Sequence, residues 1–367
     1  QWNREVDLIE DLVDLGSFRL LPLVYHNLRQ TIDADGQEVP HLGRLRGIHR
    51  RTWVENQVRF RACVQILEDF EAAGIPTLLL KGAALVACHY SDFGVRPMSD
   101  FDVLVPKAQV QAAIDVLAAR GWHPEDRGLD RLTPTYFSVR HSQGFAGPGE
   151  QYLDLHWHVL NTSLDTAVDD QFWAGAVPAQ IHQHTTRALN PTDQLLHVCV
   201  HGAAWSSTPP VRWAADAGVI LQHHAPTIDW ARLVRMAQTG WCTLQLHVTL
   251  SYLAGTLGLP IPAATLDALA QIPVRDEARQ LFAVSTRRSL GLGHLPVLWH
   301  RHRHYRAQMQ VRRAQGAPAP RPLGFARYVQ HFLGLDSLWA VGAWLVTRMV
   351  KRLGILWRNQ NADASSA

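Results

Sequence analysis

The sequence predicts an α+β fold: a small mixed β-sheet core, helices before it, and a larger C-terminal helical lobe after it. Three observations predict this. Apolar residues recur at helical spacing through residues 1–74 and again from Pro191 onward. Between those regions, short apolar or alternating runs bounded by Gly and Pro read as strands. The chain has 367 residues, 47 % hydrophobic and 18 % charged, which is globular composition and enough length for more than one domain.

Taken in order, Leu8, Ile9, Leu12, Val13 and Leu15 form one helical stripe, and Leu20, Leu21, Val24, Tyr25 and Leu28 form a second. Asp33-Ala34-Asp35-Gly36 reads as a turn. A long helix follows from His41 to Ala73 and stops at Gly74, a usual residue just past a helix end. Pro76 to Leu80 is a buried strand, ended by Lys81-Gly82, and Ala83 to Ala87 opens a short helix. Ser91 to Ser99 is a loop. Asp100 to Val105 alternates polar and apolar residues, which predicts a half-exposed strand. Lys107 to Arg120 is a helix stopped by Gly121. Tyr136 to Val139 and Tyr152 to Trp157 read as strands, with Gly144 to Gly149 as the hairpin loop between them. Thr192 or Asp193 caps a helix from Gln194 to Ala204. Further helices are expected at Val211–His223, Trp230–Gln238, Thr243–Leu257 and Ala264–Ala270, and a last one over Leu333–Trp357. The expected domains are 1–74, a helical segment; 75–190, the α/β core; 191–310, a helical domain; and 311–367, a basic, Pro-containing linker with an amphipathic helix and a disordered tail.

Charge and cysteine content exclude several classes. Net charge is +3, which does not indicate a nucleic-acid binder. Cys63, Cys88, Cys199 and Cys242 stand far apart without a CxxC pair, so neither a disulfide scaffold nor a zinc ribbon is expected, and a reducing cytoplasm fits. The acidic start has no signal-peptide pattern, and no apolar run reaches the roughly 20 residues of a membrane-spanning helix. Ten Arg and no Asp or Glu lie between Glu277 and Asp336. That stretch, 279–327, reads as a solvated face, a contact for an anionic partner such as RNA or a leader peptide, or a membrane-surface contact beside the last helix.

Asp100 and Asp102 are two residues apart on an expected strand and so share a face. Paired carboxylates repel each other unless a cation holds them, and Mg²⁺ takes one or two carboxylates plus substrate phosphates. Asp154, on a neighbouring strand, adds a third; three carboxylates suit two metal ions and phosphoryl or nucleotidyl transfer. Upstream, Gly82 permits close backbone approach to a phosphate at a helix start. Lys81 is one of only three lysines among 35 basic residues, and it ends an apolar run. With Arg96 it offers positive charge to a triphosphate.

The order Lys81-Gly82, Arg96, Ser99-Asp100-Phe101-Asp102, then Asp154-Leu155-His156-Trp157, resembles the polymerase-β-type nucleotidyltransferase superfamily, and most closely its uncharacterised branch with LKGxAL, RPMSDxDxLV and DLHW patterns. The resemblance is best over residues 75–160 and weaker through Leu196-His197, His201-Gly202, Arg212-Trp213, Asp216 and Asp229-Trp230. It implies transfer of NMP from an NTP to a hydroxyl acceptor, with release of pyrophosphate. Asp100, Asp102 and Asp154 would be catalytic and hold Mg²⁺, two ions being expected; Lys81, Gly82, Arg96 and Ser99 would bind nucleotide. The familiar Gly-Ser is replaced by Lys81-Gly82-Ala83-Ala84, so a phosphate-touching hydroxyl is missing and Lys81 stands in its place.

Other residues admit two readings. His156 and His158 share the expected face of Asp154, as metal ligands or as hydrogen-bonding neighbours. His197 and His201 are spaced i, i+4, as a metal pair is, but without the Glu of an HExxH motif they read as core or pocket residues. Arg212 and Asp216 read as an i, i+4 ion pair or as pocket lining. His156, His158, His201 and Arg212 are the candidate acceptor pocket. The acceptor itself is left open among peptide, sugar or other small molecule. Two further readings are a non-catalytic nucleotide-binding scaffold and a toxin-like transferase acting on tRNA. The expected location is cytoplasmic, with peripheral membrane contact through the basic stretch.

Overall fold

The computed structural model describes residues 15–35, 40–203, 211–286, 295–317, 319, 321–348 and 350. They form the expected mixed α+β fold around one seven-stranded sheet of order β3-β4-β5-β2-β1-β7-β6. The strands are β1 (Leu78–Leu80), β2 (Phe101–Leu104), β3 (His123–Pro124), β4 (Ser142–Gly147), β5 (Gln151–His156), β6 (Val177–Ile181) and β7 (His184–Ala188). Pairing is parallel between β2 and β5 and between β1 and β7, and antiparallel elsewhere.

After a single helical turn at Leu15–Phe18, two longer helices precede the sheet, α1 (Leu21–Asp35) and α2 (Leu42–Ala72). They pack through Leu21 and Leu45, with Val24, Tyr25, Leu28 and Ile48 around them. Asp33 to Asp35 belong to α1 and not to a turn; Gly36 and the Leu8-to-Val13 stripe lie outside the described residues. The end of α2 follows the expectation. Ile75 N–H donates to Phe70 O at 2.8 Å and Gly74 N–H to Glu71 O at 2.9 Å, with Gly74 at φ +70°. This double closure needs a left-handed residue, which glycine adopts without steric cost.

Central strands are buried on both faces, which is why β1 is an unbroken Leu run. Each of these leucines contributes about 1.5–3 kcal/mol of burial. The half-exposure expected for the Asp100 strand is corrected: every residue of β2 is buried, Asp102 included. Its polar-apolar alternation separates a charged face from an apolar one, both of them covered.

Helix α3 (Lys81–Cys88) follows β1, and α4 (Val110–Ala119) follows β2. Tyr136 to Val139 do not form a strand. They lie in α5 (Pro134–Val139), whose start is set by Pro134 and by the Thr133 hydroxyl, which accepts from Tyr136 N–H at 3.2 Å. Gly144 to Gly147 lie within β4 and not in a hairpin loop. Sequence reading missed α6 (Thr166–Gly175) and the β6–β7 hairpin.

After the sheet come α7 (Pro191–Ala203), α8 (Arg212–His224), α9 (Trp230–Thr239), α10 (Thr243–Leu257) and α11 (Ala263–Gln271). Helix α7 packs against α8, α9 and α10. Its cap is Asn190, not Thr192 or Asp193: Asn190 Oδ1 accepts from Asp193 N–H at 3.1 Å. Asp193 is buried and forks onto Arg232 at 2.8 and 2.7 Å. Leu195, Leu196 and Cys199 of α7 join Leu78, Leu80 and Leu104 of the sheet and Ile220, Leu246 and Leu250 in one core.

The residues sort into two units, 1–126 with 141–203 and 209–272, and 127–140 with 204–208 and 273–367. The second unit holds α5, α12 (Asp276–Thr286), α13 (Leu295–Ala314) and α14 (Phe325–Leu333). The last helix does not run on from Leu333. Gly334, at φ +66°, ends α14, and a separate helical stretch covers 338–348. Some arginines of the basic stretch are used internally: the Arg301 guanidinium lies over the Phe332 ring, and Arg303 donates to Gln280 at 2.7 Å. No helix among the described residues is long and apolar enough to cross a membrane.

Candidate active site

Sheet register builds the site. Parallel pairing of β2 and β5 sets Asp102 directly opposite Asp154, and antiparallel pairing of β1 sets Leu80 opposite Asp102. Residues opposite each other share a face, so the carboxylates of Asp102 and Asp154 emerge side by side. His156, two residues beyond Asp154, emerges on the same face.

Lys81 follows Leu80 and opens α3 with φ +44°, a left-handed backbone rarely taken by a residue with a side chain. Its Nζ lies 2.7 Å from Asp102 Oδ1 and 3.3 Å from Asp154 Oδ2. On the other side, His156 Nε2 lies 3.2 Å from Asp102 Oδ1 and 3.0 Å from Asp154 Oδ2. Two anions are thus held between an ammonium and an imidazole. Ser142 Oγ donates to Asp154 Oδ2 at 3.4 Å.

The electrostatics follow from burial and these contacts. Burial alone would raise both carboxylates, but the Lys81 and His156 charges outweigh it and hold Asp102 and Asp154 below the ordinary Asp value. Burial would lower His156, yet Asp154 and Asp102 keep it above the usual imidazole value. Asp100 stands just before β2, where it accepts from Ser99 Oγ at 3.0 Å. Burial, and then the Asp102 charge, raise its pKa.

A fourth carboxylate, Glu125, adjoins them, and sequence reading missed it. Its backbone N–H donates to Gly144 O at 3.0 Å, and Gly144 is the β4 partner of Asp154. A Cβ at Gly144 would run into Glu125 Oε2, so the missing side chain opposite Asp154 is what admits Glu125. Partial burial, then Asp154 and Asp100, raise the Glu125 pKa.

Arg96 stands elsewhere than beside the carboxylates. It is buried, and its Nε and Nη2 fork onto Asp216 of α8 at 2.8 and 2.9 Å. Tyr90 donates to the same Asp216 at 2.7 Å, and Asn56 of α2 donates to the carbonyls of Phe93 and Arg96 at 2.7 and 2.8 Å. The loop that delivers Asp100 is therefore clamped from α2 and α8. Gly82 belongs to this clamp: an added Cβ would lie 2.9 Å from Arg96 Nη1 and 3.2 Å from the Met98 side chain.

The i, i+4 ion pair expected between Arg212 and Asp216 is corrected, because Arg96 and Tyr90 take the Asp216 oxygens. Arg212 donates instead to Pro97 O at 3.0 Å, and burial plus the Arg96 charge lower its pKa to about 10. Among the remaining candidates, His158 pairs with Asp169 at 2.6 Å and with Lys107 at 3.1 Å. His197 is buried and stacks on His201 with centroids 6.0 Å apart. His201 reaches the surface, within electrostatic reach of Lys81, Asp102 and Asp154.

The family model described as "Uncharacterised nucleotidyltransferase" matches residues 16–258. The chain belongs to this uncharacterised nucleotidyltransferase family. No curated protein matches it. The matched segment spans the sheet, α1 to α10 and every residue of the carboxylate cluster. Asp102, Asp154 and His156 also offer one ligand atom each within 4.8 Å of one another, a group able to hold a metal ion.

Proposed function

We propose that the chain is a Mg²⁺-dependent nucleotidyltransferase that moves NMP from an NTP to a hydroxyl acceptor. The observation that carries this reading is the convergence of Asp102 and Asp154 oxygens on one ammonium, 2.7 and 3.3 Å from Lys81 Nζ. Two adjacent carboxylates that already share a cation fit a divalent ion, with Asp100 as a further oxygen donor. When bound, Mg²⁺ would neutralise charge on the phosphate oxygens.

This chain's residues supply the rest. Lys81, at the opening of α3, favours a triphosphate there. Ser99 orients Asp100. In the reaction the acceptor oxygen bonds to the α-phosphorus as the α–β bridging bond breaks. The acceptor proton passes to the Asp154 carboxylate, and pyrophosphate leaves. His201, within electrostatic reach of this cluster, would face the acceptor, with Arg212 of α8 as a further contact; a peptide, sugar or other small-molecule hydroxyl fits the chemistry. Arg96 acts by positioning the loop that carries Asp100.

The test is calorimetric titration with non-hydrolysable ATP, GTP, CTP and UTP analogues, with and without Mg²⁺. Mg²⁺-dependent binding to one of them, lost in Asp102→Asn, is expected. Binding without metal dependence, with Lys81 keeping the carboxylates, would instead favour a non-catalytic nucleotide-binding role.

A further inference from the structure

We propose that His26, His49 and Asp92 form a second metal site, distinct from the carboxylate cluster and suited to a borderline transition ion such as Zn²⁺. The three residues come from three segments: His26 from α1, His49 from α2, and Asp92 from the loop after α3. One ligand atom of each lies within 4.8 Å of the other two.

His49 decides the reading. It is 7 % exposed, and its Nε2 lies 3.1 Å from Asp92 Oδ2. Yet among the described residues Nε2 makes no hydrogen bond, so at 3.1 Å the carboxylate oxygen is close but out of line for one. A buried imidazole nitrogen beside a carboxylate oxygen, in contact but out of line, suits two ligands of one ion. Tetrahedral Zn²⁺ with bonds of about 2.0–2.1 Å sets its ligand atoms roughly 3.3 Å apart. The His49–Asp92 separation already matches, and His26, half-buried on α1, brings the third ligand atom within 4.8 Å of both.

The surroundings are arranged as an outer shell would be. Gly94 N–H donates to Asp92 Oδ1 at 2.7 Å, which fixes the carboxylate and leaves Oδ2 toward the imidazoles. A Cβ at Gly94 would lie 2.6 and 2.7 Å from His49 Cε1 and Nε2, so only glycine fits against that ring edge. Arg29 is the competitor: its Nη2 is 3.8 Å from Asp92 Oδ2, on a side chain 42 % exposed that can turn to solvent.

The donor set selects the ion. Two imidazoles and one carboxylate suit Zn²⁺, Co²⁺ or Fe²⁺, whereas Mg²⁺ prefers oxygen. Three protein ligands leave a fourth position for water. Such an ion would pin the α1–α2 hairpin to the loop that runs on to Asp100.

The experiment titrates the chelator-stripped full chain with Co²⁺ in excess Mg²⁺, reading visible absorption. One equivalent is expected to give the bands of low-coordinate Co²⁺, displaced by Zn²⁺. His26→Gln should weaken binding at least tenfold, as should Asp92→Asn. His26 lies outside the carboxylate cluster, so its variant separates the two sites, and its transferase activity should match wild type. Zn²⁺ should raise the melting temperature of the wild type and not of His26→Gln. Absence of Co²⁺ bands, or bands unchanged in His26→Gln, overturns the proposal.

Discussion

Two buried charge clusters a few residues apart in sequence are built on opposite principles. Arg96 and Asp216 form a closed pair, one cation forked onto one anion at 2.8 and 2.9 Å. Asp102 and Asp154 share Lys81 and His156, each cation reaching both carboxylates. A one-to-one fork leaves nothing over and serves as architecture. A shared cluster can exchange one cation for another without stranding a charge, and that is what chemistry requires. A buried cation is therefore no sign of function by itself; what its partners have left over is.

The comparison is tested most severely at Asp102. Asp102→Asn should lower nucleotidyl transfer by about 10³-fold, as loss of a main charge-stabilising group does, while circular dichroism stays native. Near-wild-type turnover in this variant would falsify the catalytic assignment. Breaking the closed pair should act on stability instead. Asp216→Asn leaves a buried guanidinium half-paired and should cost about 3–5 kcal/mol in denaturant melts. The double variant Arg96→Met with Asp216→Leu should cost less than that single change. A double variant less stable than Asp216→Asn would mean that the pair does more than neutralise itself.

A smaller effect is expected where the two clusters adjoin. Gly82→Ala places a methyl against Arg96 Nη1 and should cost about 1–3 kcal/mol. It should also raise the Kd for nucleotide without abolishing turnover. Equal losses in both would place Gly82 in the chemistry itself.

The last effect is a pH slope, set by His89 beside the closed pair. Burial, then His224 and His223, lower His89 from 6.5 to about 4. Its folded pKa is below its unfolded one, so its contribution is fully present above about 6.5 and is lost as pH falls toward 4. The unfolded chain takes up the proton first, and stability should fall with acidification across that window. His89→Gln should flatten the slope, and an unchanged slope would assign it to other groups such as His197.

What the sequence made legible was local. Leu78 to Gly82 and the Asp100–Asp102 spacing carry their meaning within a few residues, and each led to the right element. Errors arose where a weaker local cue had to outrank a stronger one. Tyr136 to Val139 have strand-forming side chains, but Thr133-Pro134 starts a helix there. The β7 segment His184-Thr185-Thr186-Arg187-Ala188 has no apolar run, and it is a strand because β1 and β6 pair with it. Partnership was the least legible property. The i, i+4 rule assigned Asp216 to Arg212, whereas Arg96, 120 residues distant, holds it. Glu125 was invisible because its place depends on a side chain that Gly144 lacks.

The backbone of Lys81 has a consequence for how this position can vary. At φ +44° the main chain favours glycine, while the two carboxylates call for a cation. The two demands cannot be met by one residue. A lineage that no longer needed the proposed reaction could take Gly here, easing the turn but leaving Asp102 and Asp154 with His156 alone. Loss of Lys81 would then be an early mark of a relative that has kept the fold and abandoned the chemistry.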